Sequence, residues 1–320
     1  MAETTYRVAC PACGATLTAR PEWAGRTAKC SRCQKSLVIP PAPVAPASSV
    51  APAPPPGPGT PPAPRAPGGA LNVDALRLPS ESALRTVCLI VAILVYLALL
   101  VSIVGIIYLG IGVLVSYIAL AVHMCGIRGN GIKAGPDQLP NVYDSARRAA
   151  QALGLAEVPD VYVIQAGGVL NAFATKWAFR RYVVLYSDLV DACGDHSAEL
   201  DMIMAHEMGH LALGHITWHW ILLPAMLVPF LSQAYSRACE YSCDRCGWTV
   251  CRDKVAASRG LLILAAGGNC ARLASLEAFL RQRAEVEGFW QTVVEWLSTH
   301  PWLTRRVEAL SGPAPAPAQG

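Results

Sequence analysis

The sequence predicts a mainly α-helical chain with one small β-sheet, an α+β domain preceded by an apolar helical hairpin and a four-cysteine module. Three observations carry this prediction. Two C-x-x-C pairs lie near the N-terminus, an uncharged run extends from Val87 to Val122, and downstream of it helical periodicity dominates around a few short β-branched runs. At 320 residues the chain has room for two or three units, and 53% hydrophobic against 15% charged residues is too apolar for an ordinary soluble protein. The net charge of +4, without a long basic run, does not point to nucleic acid. Most of the twelve cysteines are scattered, which reads as metal binding in a reducing compartment better than as a disulfide framework. The opening "MAETTYRVACPACG" has no basic stretch followed by an apolar one, so no secretory leader is expected.

The first element is residues 1–39. Cys10-x-x-Cys13 and Cys30-x-x-Cys33 are sixteen residues apart, and each pair sits in a short turn. Two such knuckles facing one another make a tetrahedral four-thiolate zinc site, and below about 40 residues a fold usually needs a staple of that kind. A structural zinc ribbon on Cys10, Cys13, Cys30 and Cys33 is therefore predicted, with a partner the sequence does not identify. Residues 40–70 follow as a tether: thirteen of 31 are proline and only Arg65 is charged, so an extended, disordered linker is expected.

Residues 71–135 form the membrane region. The 36 uncharged residues from Val87 to Val122 would make one helix of about 54 Å, against a hydrocarbon core of roughly 30 Å. Two transmembrane helices at about 86–104 and 107–124 fit better, reversing near Gly105, Gly110 and Gly112; a re-entrant hairpin or one tilted span would use the same residues. Arg77 and Arg85 precede the run and Arg128 and Lys133 follow it, which favours both ends in the cytoplasm. The expected location is the cytoplasmic (inner) membrane, with the ribbon and the site below on its cytoplasmic face.

Residues 136–311 are the globular part, and 312–320 a disordered tail. "NVYDSARRAAQALGL" spaces its apolar positions for a helix closed at Gly154 and Leu155, while "DVYVIQ" and "RYVVLYS" read as strands. "SAELDMIMAHEMGHLALGH" reads as a helix with Ser197 as its N-cap, and "YSRACEYSCDRCGWTVC" and "LASLEAFLRQRAEV" as further helices.

Within the first of these, His206-Glu207-x-x-His210 places two imidazoles one turn apart, where both reach one ion and Glu207 reaches a water on it. His215 and His219 also lie nearby. On a continuous helix they fall at about 180° and 220° from His206, on the opposite face, and are not expected to bind this ion. The third ligand must come from elsewhere. Glu240 in "RACEYSCD" is the best candidate, with Asp244 one turn on to orient a ligand. Two histidines and one glutamate leave a fourth position for water, as hydrolysis requires. Cys239, Cys243, Cys246 and Cys251 are expected as buried small hydrophobes. The motif helix is expected to continue to about Leu223 and return from about Pro229, making "WILLPAMLVPFL" an apolar tip that either dips into the bilayer or packs under the C-terminal helices.

Together these segments resemble the M48 metallopeptidases, the group of the HtpX heat-shock proteases and the CAAX prenyl-protein proteases. "HEMGH" and "EYSCD" match the family's H-E-x-x-H and E-x-x-x-D, "NAFAT" an upstream segment, and "STHPWLTRRVEAL" its terminal H-P-x-x-x-x-R. The resemblance covers roughly residues 140–311 and implies a zincin-like fold that cleaves peptide bonds, with zinc on His206, His210 and Glu240. It implies further that Glu207 is the general base, that His300 with Arg306 stabilises the oxyanion, and that Asn171, Ala172, Phe173 and Ala174 form an edge strand for an extended substrate. The ribbon and tether are additions to the family pattern. Lys176 stands where HtpX-like members often have glycine, and the interval from His210 to Glu240 is shorter than theirs. The expected function is a membrane-anchored zinc metalloendopeptidase acting on unfolded or membrane proteins. The alternative is a non-catalytic membrane adaptor that binds a partner through its ribbon.

Overall fold

Cysteine pairs at hairpin tips and an amphipathic helical body organise two units, Met1–Ala66 and Pro67–Gly320, in the computed structural model. It describes residues 6–13, 15–20, 23–39, 71–194 and 197–311. The Pro-rich tether and the C-terminal tail lie outside these residues.

The first unit contains two antiparallel hairpins, β1 (Tyr6–Ala9) with β2 (Thr16–Ala19) and β3 (Thr27–Lys29) with β4 (Ser36–Val38). Each C-x-x-C occupies one hairpin turn. Val8, Ala19, Leu37 and Ile39 pack around the buried Cys10 and Cys30, a core too small to stand without a staple.

The second unit begins with a 3-10 turn (Val73–Leu76) and the helices α1 (Pro79–Leu100) and α2 (Ile103–Asn130). Both helices are long and apolar enough to cross a membrane, and most of their apolar surface is open. They start and end differently from expectation. The reversal is the two residues Val101–Ser102, not the glycine-rich stretch, because Ser102 caps α2 by accepting from the Gly105 amide. Gly105 has a separate use, since a Cβ there would collide with the Leu99 carbonyl oxygen. Gly110 and Gly112 are ordinary helical positions.

A four-stranded sheet follows in the order β5-β6-β8-β7, built from β5 (Ile132–Lys133), β6 (Asp160–Ile164), β7 (Ala172–Trp177) and β8 (Arg180–Tyr186). β6 and β8 are parallel, the other pairings are antiparallel, and β7 is an edge. α3 (Pro140–Ala152) carries the predicted apolar face and closes at Gly154 with φ +65°. The motif helix α5 (Ser197–Ala212) lies between α3, the sheet and α8 (Leu231–Cys251), which is its most extensive partner. Ser197 is its first helical residue; residues 195 and 196 are not described. α4 (Ser187–Cys193), α9 (Lys254–Leu273), α10 (Leu276–Gln282), α11 (Phe289–Leu297) and α12 (Leu303–Ser311) complete the body. α10 is shorter than the predicted helix and passes into a 3-10 turn at Arg283–Val286.

The course after the motif helix also differs from expectation. The motif helix does not run on to Leu223 but stops at Ala212, where Gly214 adopts φ 75° and ends it. The chain restarts as α6 (His215–Ile221) and α7 (Leu223–Met226) before α8. The apolar tip packs along α1: Leu222, Ala225, Tyr235 and Cys239 join Cys88 and Ala92 in one cluster. Arg85 lies over the Trp218 ring at 5.0 Å. Leu227 and Phe230 remain exposed at its end.

Candidate active site

Helix α5 presents His206 and His210 one turn apart, and α8 brings Glu240 opposite them. His206 Nε2 lies 3.4 Å from one carboxylate oxygen of Glu240, and His210 Nε2 lies 3.4 Å from the other. One ligand atom from each of the three residues lies within 4.8 Å of the others, close enough for all three to share one ion. His206 and Glu240 are buried and His210 half-buried.

The surrounding charges suit a cation. Asp244, one turn along α8, lies 2.9 Å from His206 Nδ1 and so leaves Nε2 for the ion. Arg306, on α12, donates from Nε and Nη2 to the two oxygens of Asp244 at 2.8 and 2.6 Å, and its Nη1 lies 3.2 Å from Glu240. Burial works against the Glu240 carboxylate, but hydrogen bonds from His206 and His210 and the charge of Arg306 hold its pKa well below the usual range. Burial likewise opposes a charge on His206, yet its bonds to Asp244 and Glu240 raise its pKa to about 10. Two buried carboxylates facing two imidazoles supply the negative field that a dication needs.

The ligands floor a cavity of about 270 Å³. Glu207 lines it beside His206, and the apolar walls include Met202, Ile203, Ile216, Leu261 and Leu264. Asn171, Ala172, Phe173 and Ala174 form another wall, so the start of edge strand β7 faces the ligands across open space. His300 also lines the cavity, with Nε2 3.6 Å from Glu240, and stays largely exposed. Arg306, expected beside His300 at the oxyanion, is engaged with Asp244 and Glu240 and is 4% exposed.

His215 corrects the helical-wheel argument. The break at Gly214 turns it back, so that its Nδ1 is 3.1 Å from His210 Nδ1 instead of on the far face. It stays outside the His206, His210 and Glu240 group. Cys239, Cys243 and Cys246 are buried free thiols whose pKa values burial raises, Cys246 to about 12, and Cys251 is half-buried. Cys243 and Cys246 lie in the main apolar core and Cys239 in the cluster against α1. The sequence reasoning missed Arg77 and Glu81, which stand one turn apart before the uncharged run and reach the back of this site. A charged pair at the threshold of an apolar helix was the available signal.

In the first unit, Cys10 and Cys33 Sγ are 3.8 Å apart and Cys13 and Cys30 Sγ 3.7 Å. A tetrahedron with Zn–S bonds of about 2.3 Å has edges of about 3.8 Å, so these four thiols also fit a zinc ion. Backbone N–H groups of Cys33 and Arg32 lower the Cys30 thiol to about 6.

Two histidines one turn apart, a glutamate from a second helix and an uncommitted carboxylate beside them define the metallopeptidase class of site. The model of Peptidase family M48 matches residues 136–225 and 217–314, together more than half of the chain, and the chain belongs to that family. A similar protein is the plastoglobule-localized metallopeptidase 48, chloroplastic, of Arabidopsis thaliana, 28% identical over 187 residues. The match covers 52% of this chain and 53% of the relative, so the chain spans about half of that protein's length. No solved structure matches the chain.

Proposed function

We propose that the protein is a membrane-anchored zinc endopeptidase that cleaves extended segments of unfolded or membrane proteins. The observation that carries this reading is the placement of Glu207 beside the His206–His210–Glu240 group, in a cavity walled by an edge strand. His206, His210 and Glu240 would hold the zinc. When bound, the metal acidifies water toward a pKa of about 7 and polarises an amide carbonyl. Glu207 takes the proton of the attacking water and delivers it to the leaving amine. His300 reaches into the cavity and donates to the developing oxyanion. The edge of β7 pairs with the substrate backbone, which selects extended segments over folded ones.

Anchoring is supported by α1 and α2, whose basic flanks Arg77 and Arg128 favour both ends on the cytoplasmic side. The exposed Leu227 and Phe230 at the tip beside α1 would enter the same bilayer. Labelling of Trp220 and Met226 from the aqueous phase in vesicles tests the tip, and full labelling would reject its insertion. The ribbon, with its own zinc, serves a partner. For the chemistry, Glu207→Gln should retain both zinc ions and lose cleavage of an unfolded membrane protein. Undiminished cleavage by that variant would sink the mechanism.

A further inference from the structure

Behind the metal site, three polar side chains stand end to end, and the last belongs to the apolar helix α1. His210 Nδ1 is 3.1 Å from His215 Nδ1, and His215 Nε2 is 3.1 Å from Glu81 Oε1. Glu81 is paired in turn with Arg77, one helical turn earlier. The far end of the path is buried: Glu81 is fully buried and His215 is 6% exposed.

The chemistry at one end sets the direction of every bond. The nitrogen of His210 that faces Glu240 is Nε2, so a metal there leaves the ring proton on Nδ1. His215 must then accept at its own Nδ1, which places its proton on Nε2. The Glu81 carboxylate accepts the hydrogen bond from that N–H, and Arg77 balances its charge. Swapping one ring alone would set two bare nitrogens or two N–H groups against each other, and swapping both would turn a bare His215 Nε2 toward the Glu81 carboxylate. Cys243 Sγ, 3.5 Å from His215 Nδ1, is a protonated thiol and the weaker donor to that nitrogen.

A metal-bound imidazole is ordinarily held through its second nitrogen by a carboxylate, a carbonyl or water. His206 has Asp244 for this purpose. For His210 the partner is a second imidazole, and the carboxylate stands one ring further out, on a helix far earlier in the chain. The start of α1 is placed accurately enough to serve. Arg77 Nη2 donates to the Leu213 carbonyl at the end of the motif helix at 2.8 Å, and the Leu78 amide donates to Ser242 Oγ on α8 at 3.0 Å. Both ligand-bearing helices are thus bonded to the segment that delivers Glu81.

We propose that Glu81 and His215 are positioning residues for the catalytic metal, orienting the His210 ring through its Nδ1, so that the threshold of the first apolar helix forms part of the active site's support. The proposal rests on the zinc peptidase reading above. A chain stripped of α1 would keep every ligand and lose the acceptor that holds one of them.

The test is chelator competition on the full chain, with the ribbon zinc as internal reference. Glu81→Leu should weaken the catalytic zinc by about 10–100-fold, with Glu81→Gln, which keeps a neutral acceptor, in between. The ribbon zinc should not move. Cys88→Ala, buried in the cluster beside the same helix, should leave both affinities within about twofold of wild type. Wild-type affinity in Glu81→Leu, or an equal loss in Cys88→Ala, overturns the proposal. Should Glu81→Leu not fold, the zinc-loaded wild type decides it through histidine ¹⁵N spectra: His210 must carry its proton on Nδ1 and His215 on Nε2, and any other assignment overturns it. A wild type that holds zinc only in the ribbon would instead overturn the peptidase reading, and this proposal with it.

Discussion

Asp244 Oδ1 lies 2.9 Å from His206 Nδ1, and both groups are buried. A carboxylate outside the His206–His210–Glu240 group therefore holds Nδ1 of His206 and leaves Nε2 free to face a metal. Arg306 grips the same carboxylate from the other side, so the ligand set is braced by a buried ion pair.

Asp244→Asn should therefore weaken the catalytic zinc by about 10–100-fold while leaving its three ligands in place. The same change leaves the buried Arg306 without its closest anion, and thermal stability should fall as well. Zinc affinity and melting temperature of the variant check both effects.

Close approach of α5 and α8 is what brings Glu240 to the histidines. A Cβ on Gly247 would meet Met202 Sδ at 2.5 Å and the Met202 carbonyl oxygen at 2.7 Å, and the carbonyl belongs to a helix that cannot give. Gly247→Ala should destabilise the chain by about 1–3 kcal/mol and lower activity by shifting α8. Gly110→Ala, with open space around it, should be nearly neutral in the same denaturation measurement.

Edge pairing predicts a backbone effect. The Tyr186 amide donates to the Asn171 carbonyl, and along an antiparallel pair the hydrogen-bonded positions alternate, so Ala174 turns its backbone groups to the open edge. Ala174→Pro removes a donor from that edge and none from the ladder. Cleavage efficiency should fall by at least about tenfold while the melting temperature changes little.

Acid should loosen the core behind the site. Burial pushes the His215 pKa down to about 4 from 6.5. Between those values the unfolded chain takes up a proton that the folded chain refuses, so this residue's share of stability is complete above about pH 6.5 and is lost as pH falls toward 4. Melting temperatures measured from pH 8 to 5 should show the decline, and His215→Asn should flatten it.

Much of the site was legible because its spacing is local. His206 and His210 share a face of α5 by the 3.6-residue repeat, with Glu207 at its border, and Glu240 and Asp244 share a face of α8. The edge position of Ala172–Ala174 was likewise anticipated. His215 was misplaced because a helical wheel assumes an unbroken helix, and the left-handed turn at Gly214 removes that assumption. The reversal between α1 and α2 was misplaced for a similar reason: a serine cap outweighed three permissive glycines.

Residue spacing alone points to the His206–His210 pair, the two C-x-x-C pairs and the two long apolar helices, because each depends on neighbours within a few turns of one segment. The assembled fold settles the rest. It gives Arg306 to Asp244 and Glu240, turns His215 back onto His210, and sets Glu81 of an apolar helix behind the candidate metal site. Those contacts join residues far apart in the chain. Helix packing distances and the direction of one glycine turn bring them together, and neither leaves a periodic trace in the sequence.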